Sequence, residues 1–173
     1  MKLETPRMYL RSPEPADAQA YTAIHNTDFV LRFNAMQPTT PEWMEKKFAD
    51  EEYRQNTCFL ELKESGKLIG AVFMDEDSLR YGVASKDLSY FLDESCSRKG
   101  YMKEAMQALI THLFEDEALE CICCRAFAPN TASRALLKSL GFRENGIIPR
   151  CVKGYTGEIF DDVIHTLMRE DVQ

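Results

Sequence analysis

Ten residues, Ser97 to Met106 (SRKGYMKEAM), set one glycine between two cations and the first apolar positions of a helical pattern. In a strand-to-helix turn of this kind, successive backbone N–H groups point at one spot. The helix dipole adds positive potential there, so an anion is welcome. Gly100 removes the Cβ that would hold a bulky ligand away from the backbone, and Arg98 and Lys99 add attraction for phosphate. A turn that only joins two elements wants the same glycine, so an anion cradle and a plain turn both stay open. Nucleotide hydrolysis does not fit, because no Gly-Lys-Ser/Thr follows a second glycine and the lysine and Mg²⁺ ligands it requires are missing.

A second stretch with chemical potential is PNTASRALLKSLGF, Pro129 to Phe142. Asn130 opens a helix, where it can serve as N-cap or turn its side-chain amide toward the amides of an extended ligand. Ser133 is either a solvent-facing helix residue or a hydroxyl aimed into a cleft.

The elements around these stretches follow from periodicity. RMYLRS alternates and reads as a strand ending before Pro13 and Pro15. EPADAQAYTAIHN suits a helix, and PEWMEKKFADEEY a second one with Pro41 in its first turn. CFLELKESGKLIGAVFMDED gives two strands around the turn ESGK, and LSYFL a further strand just before the glycine turn. From Met102 the apolar positions Met102, Ala105, Met106, Leu109, Ile110, Leu113 and Phe114 mark an amphipathic helix. LECICCRAFA is apolar at successive positions, as a strand covered on both faces is. TASRALLKSLGF is a helix ending in a left-handed cap at Gly141, and EIFDDVIHTLM a late strand. The fold class is α/β, and a single domain over residues 1–173 is the economical reading of this length.

Composition narrows the partners. The formal net charge of -7 argues against nucleic acid or an anionic membrane and favours a cationic acceptor such as an amine. No run of about 18 apolar residues is present to span a membrane. The N-terminal stretch does not resemble a signal peptide, so a cytoplasmic location with reduced thiols is expected. The six cysteines (58, 96, 121, 123, 124 and 151) lack the paired spacing and histidine partners of a zinc site, and CICC reads as small soft side chains in a buried strand. His25, His112 and His165 lie on separate elements without metal or triad partners at useful spacing. Trp43, Phe33 and Tyr53 read as core aromatics.

Taken together, the two motifs resemble the GCN5-related N-acetyltransferase (GNAT) superfamily, and within it the ribosomal-protein N-terminal acetyltransferase group. The family's loop Gln/Arg-x-x-Gly-x-Gly/Ala corresponds to Ser97-Arg98-Lys99-Gly100-Tyr101-Met102. Its later motif, Asn-x-x-Ser/Ala with Gly-Phe beyond, corresponds to Asn130, Ser133 and Gly141-Phe142. The subgroup's N-terminal pattern is met by Arg7, Leu10, Arg11, Asp17 and Ala18, and its paired aspartates by Asp161-Asp162. Ser97 stands where glutamine or arginine is usual and Met102 where a small residue is usual. A loop that binds through backbone N–H should tolerate both, with Met102 narrowing the cleft.

This resemblance implies the GNAT fold, a mixed, mostly antiparallel sheet with splayed parallel central strands and flanking helices. It implies acetyl-CoA as co-substrate, its pyrophosphate on the amides of Arg98, Lys99, Gly100, Tyr101 and Met102 and its pantetheine along Tyr90, Phe91 and Leu92, with Asn130 and Ser133 lining the same cleft. The reaction implied is attack of an amine on the thioester, with a protein or peptide α-amine as the leading acceptor. A small amine (polyamine, amino acid or aminoglycoside) is the alternative, and a non-catalytic acyl-CoA-binding regulator the reading from another class. Leu137 occupies the position where many members carry a tyrosine acid, which leaves Ser133 to stabilise the thiolate. Asp87, opening the strand before the loop, is the candidate base. Glu158 is a weaker one, and the subgroup's own glutamate has no match. The acceptor is set by residues 26–53 and the C-terminal strands. A homodimer follows only by analogy.

Overall fold

The computed structural model describes residues 2–172. Two short strands, β1 (Lys2–Glu4) and β2 (Met8–Arg11), lead through a 3-10 turn into α1 (Ala18–His25), α2 (Asp28–Leu31), α3 (Pro41–Ala49) and α4 (Glu51–Gln55). Then come β3 (Thr57–Leu62), β4 (Leu68–Glu76), β5 (Ser85–Leu92), α5 (Tyr101–Glu115), β6 (Cys121–Phe127), α6 (Thr131–Ser139), β7 (Arg143–Lys153) and β8 (Ile159–Met168). The strands form one sheet in the order β1-β2-β3-β4-β5-β6-β8-β7. Every neighbouring pair is antiparallel except β5–β6.

The expected α/β fold with a mostly antiparallel sheet and one parallel central pair is therefore present. β5 and β6 run side by side only from Ser85↔Cys121 to Leu88↔Cys124. Beyond that point β5 stays paired with β4 as far as Leu92, and β6 with β8 as far as Phe127. The two parallel strands separate where β5 carries Ser89 to Leu92.

Each sheet face has its own core. On one side α5 buries Met102, Ala105, Met106, Leu109, Ile110, Leu113 and Phe114, the positions its periodicity marks, against Leu88, Ile122 and Cys124. On the other, Tyr21, Met44 and Phe48 pack on Phe59, Phe73 and Phe91. All six cysteines are free and five are buried, as CICC leads one to expect.

Three expectations change. The single helix read over PEWMEKKFADEEY is two, because Asp50 is extended (φ -75°, ψ 125°) and its carboxylate accepts from the Tyr53 N–H at 2.8 Å, starting a new helix. Trp43 is no core residue: α3 buries Met44 and Phe48, one turn apart, and leaves Trp43 59% exposed on its flank. The edge strand β7 has no counterpart in the sequence reading. It is largely exposed, is interrupted by Pro149 and shifts register twice against β8, so it carries no alternating apolar signal.

The N-terminal pattern also gains a structural meaning. Arg11 makes a fork to both oxygens of Asp17 (2.8 Å each) and a third bond to Glu61 (2.6 Å). This ties β2 to the start of α1 and to β3.

β4 and β5 approach so closely at Gly70 that a Cβ there would lie 2.4 Å from the Phe91 carbonyl oxygen. Gly70→Ala is therefore expected to destabilise the protein by about 1–3 kcal/mol, the usual range for forced overpacking. Denaturant unfolding checks this, as a lower midpoint at unchanged slope.

Candidate active site

The glycine turn is built around the N-terminus of α5. Its N-cap, Gly100, sits in the left-handed region (φ 80°) and offers no side-chain cap. No N-cap side chain therefore bonds the first-turn N–H groups of α5. Arg98 is also left-handed (φ 58°), an uncommon state for a residue with a Cβ. Arg7 fastens this turn from β2's side: it bonds the Lys99 carbonyl (2.9 Å) and both carboxylate oxygens of Glu104 (2.9 and 2.7 Å), and stacks over Tyr101 at 4.1 Å. Gly100 is demanded by backbone conformation first. A Cβ there would stand 3.4 Å from the Arg7 guanidinium. Met102, expected to narrow the cleft, buries most of itself in the core beneath α5 and forms part of the cleft wall.

This turn closes one end of a cavity of about 480 Å³. Its wall runs from Tyr90, Phe91 and Leu92 across to Asn130, Ser133 and Leu136 on α6. Such a wall is apolar along its length and amide-rich at the end, matching a long acyl carrier with an anionic terminus. The orphan first-turn donors and the free edge of β5 fit a coenzyme A thioester on this observation alone.

A second cavity, about 350 Å³, lies on the other side of the same point and is lined by Asp75, Asp87, Arg125 and Asp162. Both cavities share Phe33, Asn34, Tyr90, Asn130 and Ser133. Sequence reasoning put Ser133 and Tyr90 in one cleft, and their hydroxyls are 2.7 Å apart. Burial pushes the Tyr90 phenol pKa up, so it keeps its proton. The Asn130 side chain accepts from the Ser133 N–H (3.2 Å), so it does cap α6 while lining both cavities.

Asp87 lies three residues before Tyr90 on β5, sharing a face with Ser89 and Phe91 as alternation requires. Arg125 Nε donates to it at 2.9 Å. Burial nevertheless raises its pKa to about 6, helped by nearby Asp77 and Asp75 and only partly opposed by Arg125. Glu158 sits in the exposed β7–β8 turn and lines neither cavity. Phe33, read from the sequence as core, is half-buried and packs edge-on to Phe127 (6.4 Å) and Phe160 (6.2 Å) at the junction of the cavities. Tyr53 does pack against the α1–α3 core. Sequence reasoning missed Arg125, Asp75 and Asp162 as site residues. The available signal was Arg125 as the lone charge in an otherwise apolar central strand.

A sheet opened between two parallel strands, with an amide-lined turn at one end and an acidic chamber behind, defines an acyl-CoA-dependent transferase. The sequence profile of the Acetyltransferase (GNAT) domain matches residues 7–143, and the chain belongs to that family. Its co-substrate is accordingly acetyl-CoA. A probable N-acetyltransferase of Bacillus subtilis, YjcK, is 26% identical over 159 residues, covering 84% of this chain and 86% of its own. Among solved structures, the ribosomal-protein-S5-alanine acetyltransferase of Vibrio fischeri superposes with TM-score 0.84 at 18% identity, over 100% of this chain and 99% of its own. The RimJ of Mycobacterium smegmatis, solved in complex with CoA-disulfide, superposes with TM-score 0.83 at 21% identity, over 98% and 87%.

Asn130→Ala is expected to cost about 1 kcal/mol of stability by removing the helix cap, and to weaken acetyl-CoA binding as well. Calorimetry separates the two effects. Unchanged affinity would reduce Asn130 to a cap.

Proposed function

We propose that this chain transfers the acetyl group of acetyl-CoA to a primary amine held in the acidic cavity, with the α-amine of a protein or peptide as the leading acceptor. The observation that carries the reading is the meeting of both cavities at Tyr90 and Ser133, whose hydroxyls touch. Arg98 to Met102 would hold the pyrophosphate, and the open edge of Tyr90 to Leu92 the pantetheine. Asn130 would stand beside the thioester.

Acetyl-CoA supplies a thioester carbonyl. The amine nitrogen forms a bond to that carbon, the carbon–sulfur bond breaks, and its electrons leave on sulfur. Ser133 would donate a hydrogen bond to that sulfur, with Tyr90 fixing the serine rotamer. The proton shed by nitrogen would pass through water to Asp87. Three residues of strand put Asp87 about 10 Å from Tyr90 along β5, so the proton would pass along water in the acidic cavity that both residues line.

An α-amine asks least of such a base. Its pKa is about 7.7–8.0 against about 10.4 for lysine, so near pH 7.5 roughly a third of α-amines are already neutral. The ribosomal-protein acetyltransferases among the structural neighbours support an α-amine acceptor by likeness of fold.

Ser133→Ala is expected to lower kcat roughly tenfold or more, as loss of a charge-stabilising donor does, while the acetyl-CoA Kd moves little. Steady-state kinetics beside calorimetry checks this, and an unaltered kcat would return Ser133 to a structural part. The pH profile carries a second expectation. Ionised Asp87 and neutral amine are both required, so log kcat/KM should rise with slope two below about pH 6, where Asp87 titrates. Above that, only the amine titrates and the slope is one. Asp87→Asn should give slope one throughout at a lower rate. A wild-type profile with no break near pH 6 would remove Asp87 as base.

A further inference from the structure

The acidic cavity holds more negative charge than one reacting amine can use. Asp75 and Asp87 are direct partners across β4 and β5. Directly opposed residues have Cβ atoms roughly 5 Å apart, and like charges so placed destabilise a sheet. Asp162, on β8, is 3% exposed, and its Oδ1 has no hydrogen-bond partner among the described residues. A buried acceptor left unpaired costs about 1–3 kcal/mol.

The cations at hand do not balance these groups. Arg125 is committed to Asp87 at 2.9 Å and only approaches the other Asp162 oxygen, at 4.0 Å. Lys86, the other cation acting on Asp75, pairs with Glu117 at 3.5 Å. Arg80 is taken by Asp77. His165, on the same strand as Asp162, has its pKa pushed down by burial, so near neutral pH it brings no charge. Three carboxylates thus share one guanidinium, and one buried oxygen has no donor.

We infer that the acceptor carries a second cationic nitrogen, seated at Asp162 in the negative field to which Asp75 adds, while the first faces Ser133 and Tyr90. The inference rests on the transferase reading and names its acceptor class: an amine with another ammonium at the end of a short aliphatic spacer. The second ammonium pairs with the Asp162 carboxylate and offsets the charge of the opposed aspartates. Its pairing with Asp162 leaves Asp87 as the base. A free diamine and a peptide with lysine beside its N-terminus both present this chemistry.

The test is calorimetric titration of the CoA-saturated protein at neutral pH with diaminobutane, amines at both chain ends, against butylamine. A tripeptide with lysine second is compared with the same peptide carrying norleucine. The dicationic member of at least one pair should bind at least tenfold more tightly, and which pair responds identifies the source. Asp162→Asn and the exposed Asp75→Asn should each shrink that advantage at least threefold. Asp75→Asn keeps the test alive if loss of the buried aspartate impairs folding. Equal affinities within both pairs, or an advantage untouched by Asp75→Asn, would overturn the inference. Thiol release is measured on the same amines. Tight dication binding without turnover would keep the cation seat and overturn the transferase reading. Turnover with no preference for dications would do the reverse.

Discussion

Parallel pairing between β5 and β6 stops after Leu88 and Cys124, and the rest of the site depends on that break. Past it, β5 keeps its antiparallel partner on one side and has none on the other. Backbone polar groups inside a fold seek partners, so residues 89–92 offer an edge on which, in the proposed reading, an extended ligand rich in amides would lie. The same separation makes room for Tyr90 and Ser133 to meet between two chambers, one proposed to receive the acyl carrier and the other the amine. Two cores, one on each sheet face, pack against the divergent strands.

Electrostatics then divides the labour. The donor end relies on dipoles, the uncapped first turn of α5 behind the left-handed Arg98 and Gly100, with exposed cations around it. The acceptor end relies on carboxylates drawn to one sheet face by the register of β4, β5 and β8. Burial and mutual repulsion raise the pKa of Asp87 to about 6, which leaves it ionised near neutral pH yet able to take a proton. Arg125 pairs with Asp87 and approaches Asp162, one guanidinium among three carboxylates.

Much of this was legible in the chain. The 3.6-residue period of α5, the Gly100 turn and the Asn130–Ser133 spacing each reflect a local rule, and each stands where the sequence put it. The sequence could not show what register decides. Asp75 opposes Asp87 because of how β4 pairs with β5, and Asp162 joins them through β6 and β8, across separations of up to 87 residues that no local pattern encodes. Aromatics misled for a related reason. Trp43 and Phe33 look like core by residue type, but the face on which α3 packs and the position of Phe33 between the cavities place one in solvent and the other at the site.

Amide hydrogen exchange with and without coenzyme A addresses the central claim, that the free edge of β5 and the turn into α5 form one donor site. One donor site gives added protection at residues 89–92 and 98–102 together, with β1 to β3 unchanged. Protection confined to the turn, or absent from both segments at saturating ligand, would contradict it.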